Sequence, residues 1–182
     1  ERINFMGDIL KELNEEEIIE IIKKMKEQNI KSVAVCLLHS YANAIHEEKI
    51  KEIINREWPE AYVSISSEIN PQFREYERTS TTVINAFMMP NMDSHLIQLK
   101  ESLRKEEVNS ECYIMQGNAG VMTFDTALSK PVSVSDSGPI AGIIAANYIA
   151  KLSGFNNIIT LDMGGTSCDV SLIQNNNIKF TT

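Results

Sequence analysis

The stretch Ile158 to Ile173, IITLDMGGTSCDVSLI, decides the fold. It opens on an apolar, β-branched run that ends in an acid, Asp162. Gly164, Gly165 and Thr166 follow, and a second, alternating run carries Asp169. Two strand-like runs joined by so short a connection read as a hairpin, with strands over Asn157 to Met163 and Asp169 to Ile173. Asn175-Asn176-Asn177 then turns the chain, and a further strand is expected from Ile178 onward.

This hairpin has the parts needed to bind a phosphate without a helix. Gly164 and Gly165 lack a Cβ, so their N–H groups can approach a phosphate oxygen closely. Thr166 adds a hydroxyl donor. Asp162, at the end of a strand, can hold Mg²⁺ through water, because Mg²⁺ keeps several waters when one carboxylate binds it. Asp169 can orient a nucleophile or a second water. Many hairpins use Gly-Gly for the turn alone, so spacing by itself leaves both readings open. No GxxxxGK[ST] occurs, so the stretch is not a P-loop.

Just upstream, Ser137-Gly138-Pro139 opens a helix expected to run to about Leu152 and to stop at Gly154. Its free N–H groups and positive dipole end suit an anion, and they equally suit a plain helix cap. Val132 to Ser135 reads as a short strand. Glu111 to Gln116 reads as another, followed by a turn at Gly117-Asn118-Ala119-Gly120. Asn118 and Gly120 there are candidate ligand contacts as well as turn residues.

The first two thirds read as scaffold. Asn14 can cap a helix over 14–28, with Glu17 at the capping-box position. Ser32 to Leu38 (SVAVCLL) is the nearly all-apolar run of a strand buried on both faces. A helix over Ile45 to Glu57 stops before Pro59, and Ala61 to Ser66 supplies a second strand. This strand–helix–strand unit implies a right-handed parallel crossover. Residues 74–105 are helical in character, with Pro90 expected to divide or kink them. Within them Glu75 and Arg78 stand at a pairing distance of three residues. His39, His46 and His95 show no metal-ligand spacing and read as structural or surface residues.

The chain has 182 residues and a net charge of −8. The acidic balance argues against a nucleic-acid partner. The longest apolar candidate, Pro139 to Ala150, falls well short of the ~20 residues of a membrane span. The three cysteines, Cys36, Cys112 and Cys168, form no CxxC pair, which points to a reduced, cytoplasmic setting. Seven of the eight glycines fall at or after Gly117, so backbone that must approach a ligand is concentrated there.

The hairpin resembles the second phosphate-binding hairpin of the actin, sugar-kinase and heat-shock-protein-70 ATPase superfamily, in which two ribonuclease-H-like domains clamp ATP. Five blocks narrow the resemblance. They are AVCLLHSYAN (Ala34 to Asn43) with His46-Glu47, REYERTSTTV (Arg74 to Val83) with Asn85-Ala86, MQGNAG (Met115 to Gly120), SGPIAG (Ser137 to Gly142) and LDMGGTSCDV (Leu161 to Val170). In this order they resemble the hydantoinase A / 5-oxoprolinase family. Membership would imply an α/β, actin-like ATPase fold and ATP-dependent opening of a cyclic amide, by phosphorylation of the amide oxygen before attack by water. It would also imply a hydantoinase B-type partner subunit or region, and it leaves room for a homo-oligomer. Relatives use the same activation to carboxylate ketones, and a non-catalytic sensor or assembly module is the rival from another class.

The resemblance assigns Asp162 and Asp169 to catalysis, with Asp162 also facing Mg²⁺. Gly164, Gly165, Thr166, Ser137 and Gly138 go to ATP, and Asn118 and Gly120 to the substrate. The chain departs from the family pattern at Gly117-Asn118-Ala119-Gly120, where Ser-Asn-Gly-Gly is usual, at Ile140-Ala141-Gly142, where Ala-Gly-Gly is usual, and at Cys168, where Thr is usual. The family's first D-x-G-G-T hairpin does not occur in these residues. The expectation is therefore an internal fragment: 1–108 from the N-terminal domain with connecting helices, and 109–182 from the start of the second ATPase domain. Such a fragment is expected to be inactive alone.

Overall fold

In the computed structural model, which describes residues 1–108 and 110–178, the chain divides into two compact units. The first comprises Glu1–Ser110 with Leu128–Val132, and the second Glu111–Ala127 with Ser133–Thr182.

The first unit is built on one parallel strand pair. β1 (Arg2–Ile3) and β2 (Ile9–Lys11) form a small antiparallel ribbon, followed by α1 (Glu15–Glu27), β3 (Ser32–Val35), α2 (Ile45–Glu57) and β4 (Tyr62–Ile65). Asn14 caps α1 as its sequence position requires, its Oδ1 accepting from the N–H groups of Glu16 (3.0 Å) and Glu17 (3.3 Å). β3 and β4 run parallel in the register Ser32↔Tyr62 to Val35↔Ile65, as the crossover reading predicts. Val33, Val35 and Ile65 pack with Ile22 of α1 and Ile50, Ile53, Ile54 and Trp58 at α2, which forms the aliphatic core. On the opposite face Ser64 meets α4 (Glu75–Lys105), where its hydroxyl donates to Met89 Sδ and accepts from Asn85 Nδ2. The strand pair is thus covered on both faces, which is why SVAVCLL lacks polar alternation.

α3 (Ser66–Ile69) is a single turn that leads from β4 toward α4. Pro90 does not divide α4, which runs unbroken through it for 31 residues. An interior proline costs about 3 kcal/mol in a helix. Buried residues on both sides of it, Arg78, Thr82, Asn85 and Ala86 before and Leu96 after, anchor the helix across that defect.

The second unit begins with a hairpin of β5 (Tyr113–Met115) and β6 (Val121–Thr123). α5 (Phe124–Ser129) then leads back into the first unit's segment. The short strand expected over Val132–Ser135 is instead a 3₁₀ helix, Pro131–Val134. Proline at a helical first position loses no bond there and has the right φ already, which favours the turn over a strand. α6 (Ser137–Leu152) follows, then the antiparallel sheet β7 (Ile158–Met163), β8 (Cys168–Gln174) and β9 (Asn177–Ile178). Asn175 (φ 53°) and Asn176 (φ 60°) make the β8–β9 turn, a left-handed pair that asparagine tolerates. Continuation of that last strand lies outside the described residues. No helix of the described residues is long and apolar enough to cross a membrane.

Candidate phosphate-binding hairpin

β7 and β8 pair from Ile158↔Ile173 to Met163↔Cys168, which sets Asp162 directly opposite Asp169. Directly opposed residues share a face, about 5 Å apart at Cβ, and like charges so placed destabilise the sheet. The chain keeps this repulsion beside an exposed turn, an arrangement that a cation would relieve. Ser167 Oγ donates to Asp169 Oδ2 at 3.3 Å and fixes that carboxylate. Sequence reasoning passed over Ser167, although its place directly after Gly-Gly-Thr marked it.

The turn is closed by one bond, Gly164 N–H to Ser167 O at 3.0 Å. Among the described residues the N–H groups of Gly165 and Thr166 have no partner. Neither Gly164 nor Gly165 has a positive φ, and a Cβ built on either meets nothing within 4 Å. Backbone conformation and internal packing therefore do not account for glycine at these two positions. Open space over free N–H groups is what close approach of an anion requires.

α6 borders the same site. A Cβ on Gly142 would stand 3.6 Å from Asp162 Oδ2, so the helix passes close to that carboxylate. Ser137 lies five residues earlier, roughly 7.5 Å along the axis. The N-cap Asp136 is left-handed (φ 57°) and its side chain makes no capping bond, which leaves the first-turn N–H of Gly138 available; nothing lies within 4 Å of a Cβ on Gly138. The structure thus brings Asp162, Asp169, Gly164, Gly165 and Thr166 into one hairpin, with α6 alongside. Among the described residues no group of three or more His, Cys, Asp or Glu is placed to hold a metal, so any cation here would rest on the Asp162–Asp169 pair and water.

Asn118 and Gly120 form the β5–β6 turn. Asn118 Oδ1 accepts the Gly120 N–H at 2.9 Å, and Gln116 N–H donates to Gly120 O at 2.8 Å. The oxygen of Asn118 is thereby committed to the turn, and its Nδ2 is the group left for a ligand. Ala119, at the position where the family usually has glycine, carries φ 71°. Gly117 is required sterically, because a Cβ there would stand 2.3 Å from Ser135 O.

Two charged motif residues of the first unit, Glu47 and Arg78, are interior. Glu47 is fully buried; its Oε1 accepts from Leu37 N–H (2.8 Å) and Ser66 Oγ (2.7 Å), and its Oε2 from Ser67 N–H (2.8 Å). Arg78 is 1% exposed and donates to Ser66 Oγ, Gln72 O and Leu37 O at 2.9–3.2 Å. Ser66 must donate to the carboxylate, so the 2.9 Å contact with Ser40 has Ser40 as donor. The expected Glu75–Arg78 pair does not form. Arg78 turns inward instead, and Arg74 meets Glu77 at 3.7 Å on the surface. Burial pushes the neighbouring Cys36 thiol upward in pKa, which keeps it protonated and unreactive.

A family model described as "Hydantoinase/oxoprolinase" matches residues 78–182, and the model of that family's N-terminal region matches residues 1–58. The chain belongs to the hydantoinase/oxoprolinase family. Caprolactamase subunit alpha of Pseudomonas jessenii is 31% identical over 99% of this chain and 26% of its own length. The 5-oxoprolinase of Saccharomyces cerevisiae is 32% identical over 91% of this chain and 13% of its own. The crystal structure of the ATP-dependent caprolactamase from Pseudomonas jessenii superposes with a TM-score of 0.80 at 32% identity, over 94% of this chain and 25% of that one. Nucleotide-free acetone carboxylase gives the same TM-score at 23% identity, over 98% of this chain and 25% of that one, a likeness of fold. The chain spans about a quarter or less of these relatives.

Proposed function

We propose that this chain is the ATP-binding portion of an ATP-dependent cyclic amidohydrolase with an actin-like ATPase fold. The observation that carries the reading is the β7–β8 hairpin, with two opposed carboxylates beside a glycine turn whose N–H groups are free and uncovered. When bound, the nucleotide supplies the phosphoryl group that activates the amide oxygen, and Mg²⁺ supplies the charge that offsets the phosphates.

The residues divide the work. The N–H groups of Gly165 and Thr166, with the Thr166 hydroxyl, donate to phosphate oxygens. Asp162 holds the cation through water, and Asp169, fixed by Ser167, orients a second water. The first turn of α6, Ser137 and Gly138, adds N–H groups at the positive end of the helix. Asn118 Nδ2 faces the amide substrate, and Gly120, whose N–H holds the Asn118 oxygen, keeps that side chain in place. A partner subunit of the hydantoinase B type completes the ring opening. The relatives named as an alpha subunit of caprolactamase and a beta subunit of acetone carboxylase support a divided enzyme.

Turnover of Asp162→Asn in the full-length chain with its partner tests this reading. ATP hydrolysis stimulated by a lactam, 5-oxoproline or a hydantoin should fall about a hundredfold or more, the scale of losing one positioned electrostatic contact. Unchanged turnover would sink the assignment. Stimulation only by a ketone with bicarbonate would instead favour carboxylase chemistry, and stimulation by none of these a sensor module.

A further inference from the structure

Asp162 meets α6 at one residue, and that residue is out of place in a helix. Gly142 lies in the interior of α6, where glycine is the worst choice short of proline. Nothing in the fold asks for it. Its φ is not positive, and a Cβ built on it meets a single atom, Asp162 Oδ2, at 3.6 Å, an ordinary contact distance. Alanine would therefore fit there and would suit the helix better. The helix is also held in place: Asn147 and Ala150 are buried, and Asn147 Nδ2 donates to Asn176 O. What alanine would take away is the space between the helix backbone and the carboxylate oxygen. A water donating to Oδ2 stands about 2.8 Å from it. A methyl carbon 3.6 Å from Oδ2 displaces such a water from the helix side.

The chemistry of the hairpin says why that space is kept. Asp162 and Asp169 oppose each other with like charge, and among the described residues no third His, Cys, Asp or Glu joins them to hold a metal. A cation bound by so few protein oxygens keeps most of its waters. Mg²⁺ gives up water reluctantly and suits such a site, whereas Ca²⁺ takes carboxylate oxygens directly and in flexible geometry. The geometry points to Gly142 as a specificity-determining residue of the hairpin. It keeps the helix side of Asp162 clear for water, and so makes the pair a site for hydrated Mg²⁺ in preference to directly bound Ca²⁺. This inference rests on the reading of the β7–β8 hairpin as a Mg²⁺–nucleotide site.

Calorimetric titration of the full-length chain with a non-hydrolysable ATP analogue, in Mg²⁺, in Ca²⁺ and in EDTA, tests it. The wild type should bind more tightly in Mg²⁺ than in Ca²⁺ or EDTA. Gly142→Ala should bind at least about tenfold more weakly in Mg²⁺, the scale of disturbing the groups around a metal's direct ligands. Its binding in Ca²⁺ and in EDTA should match the wild type. Without ligand it should melt a few degrees higher, since alanine is the better helix residue. Asp162→Asn should bind alike in Mg²⁺ and in EDTA. Wild-type Mg²⁺ affinity in Gly142→Ala, an equal loss in all three media, or a lower melting temperature would each overturn the role of Gly142. The hairpin reading would then stand, provided that Asp162→Asn has lost its Mg²⁺ response. A Mg²⁺ response that survives in Asp162→Asn, or that the wild type lacks, would overturn the hairpin reading and this inference with it.

Discussion

The two units treat their motif residues in opposite ways. In the first, two charged residues are inside: Glu47 and Arg78 are sealed in and bridged through Ser66, while Arg74, Glu75 and Glu77 of the same motif stay on the surface. In the second, the charged and glycine residues of the motif are outside, and so is much that is apolar. Ile159, Leu161, Met163, Val170 and Leu172 share one face of β7–β8 and are 63–73% exposed. A motif of either unit looks equally informative as a string of letters. Burial separates them: the first unit's motifs hold loops at the carboxyl ends of two parallel strands, and the second unit's motif meets solvent with unpaired donors.

The largest effect that sharpens this contrast is on stability in the first unit. Arg78→Met leaves Glu47 as a buried charge without its cationic neighbour, strips Gln72 O of its donor, and leaves Leu37 O only the 3.5 Å bond from Ser40 N–H. It should cost about 3–5 kcal/mol, read by denaturant unfolding. A loss below about 1 kcal/mol would mean that the buried Arg78 contacts contribute no more than an ordinary surface residue does. In the second unit the expected split is reversed. Gly165→Ala has room for its methyl and no positive φ to strain, so stability should rise by about 0.4–1 kcal/mol. Turnover of the full-length enzyme should nonetheless drop about a hundredfold, because the methyl obstructs close approach to the N–H groups. Retained turnover would make the glycine a mere turn residue. The smallest effect is at Ala119, whose φ of 71° is adopted without glycine's freedom. Ala119→Gly should raise the melting temperature, by the equivalent of about 1 kcal/mol, with no change in ATP turnover.

Much of the fold was legible. Hydrophobic periodicity located α1 and α2, and β-branched runs located β3, β4, β7 and β8, because each pattern reports a burial face that local geometry imposes; α6 was marked by its Ser-Gly-Pro start and its glycine stop. Pro90 misled because propensity is local, whereas the packing that carries α4 through it is not. Val132–Ser135 misled because β-branching outweighed the helix-starting Pro131. At the candidate site, the identities of Asp162, Gly164, Gly165, Thr166 and Asp169 were readable from order and spacing alone. Ser167 fixing Asp169, and Gly142 opening α6 to Asp162, were not, since each depends on which side chain faces which.

Sequence by itself determined the family blocks, the alternation of strands and helices, and the residue types able to meet a phosphate, since all of these are properties of neighbours along the chain. Only the tertiary structure decided that Arg78 faces inward rather than toward Glu75, and that Asp162 and Asp169 oppose each other. Those depend on register, crossover and burial, which bring together residues as far apart as Leu37 and Arg78, and no local pattern encodes a contact across that span.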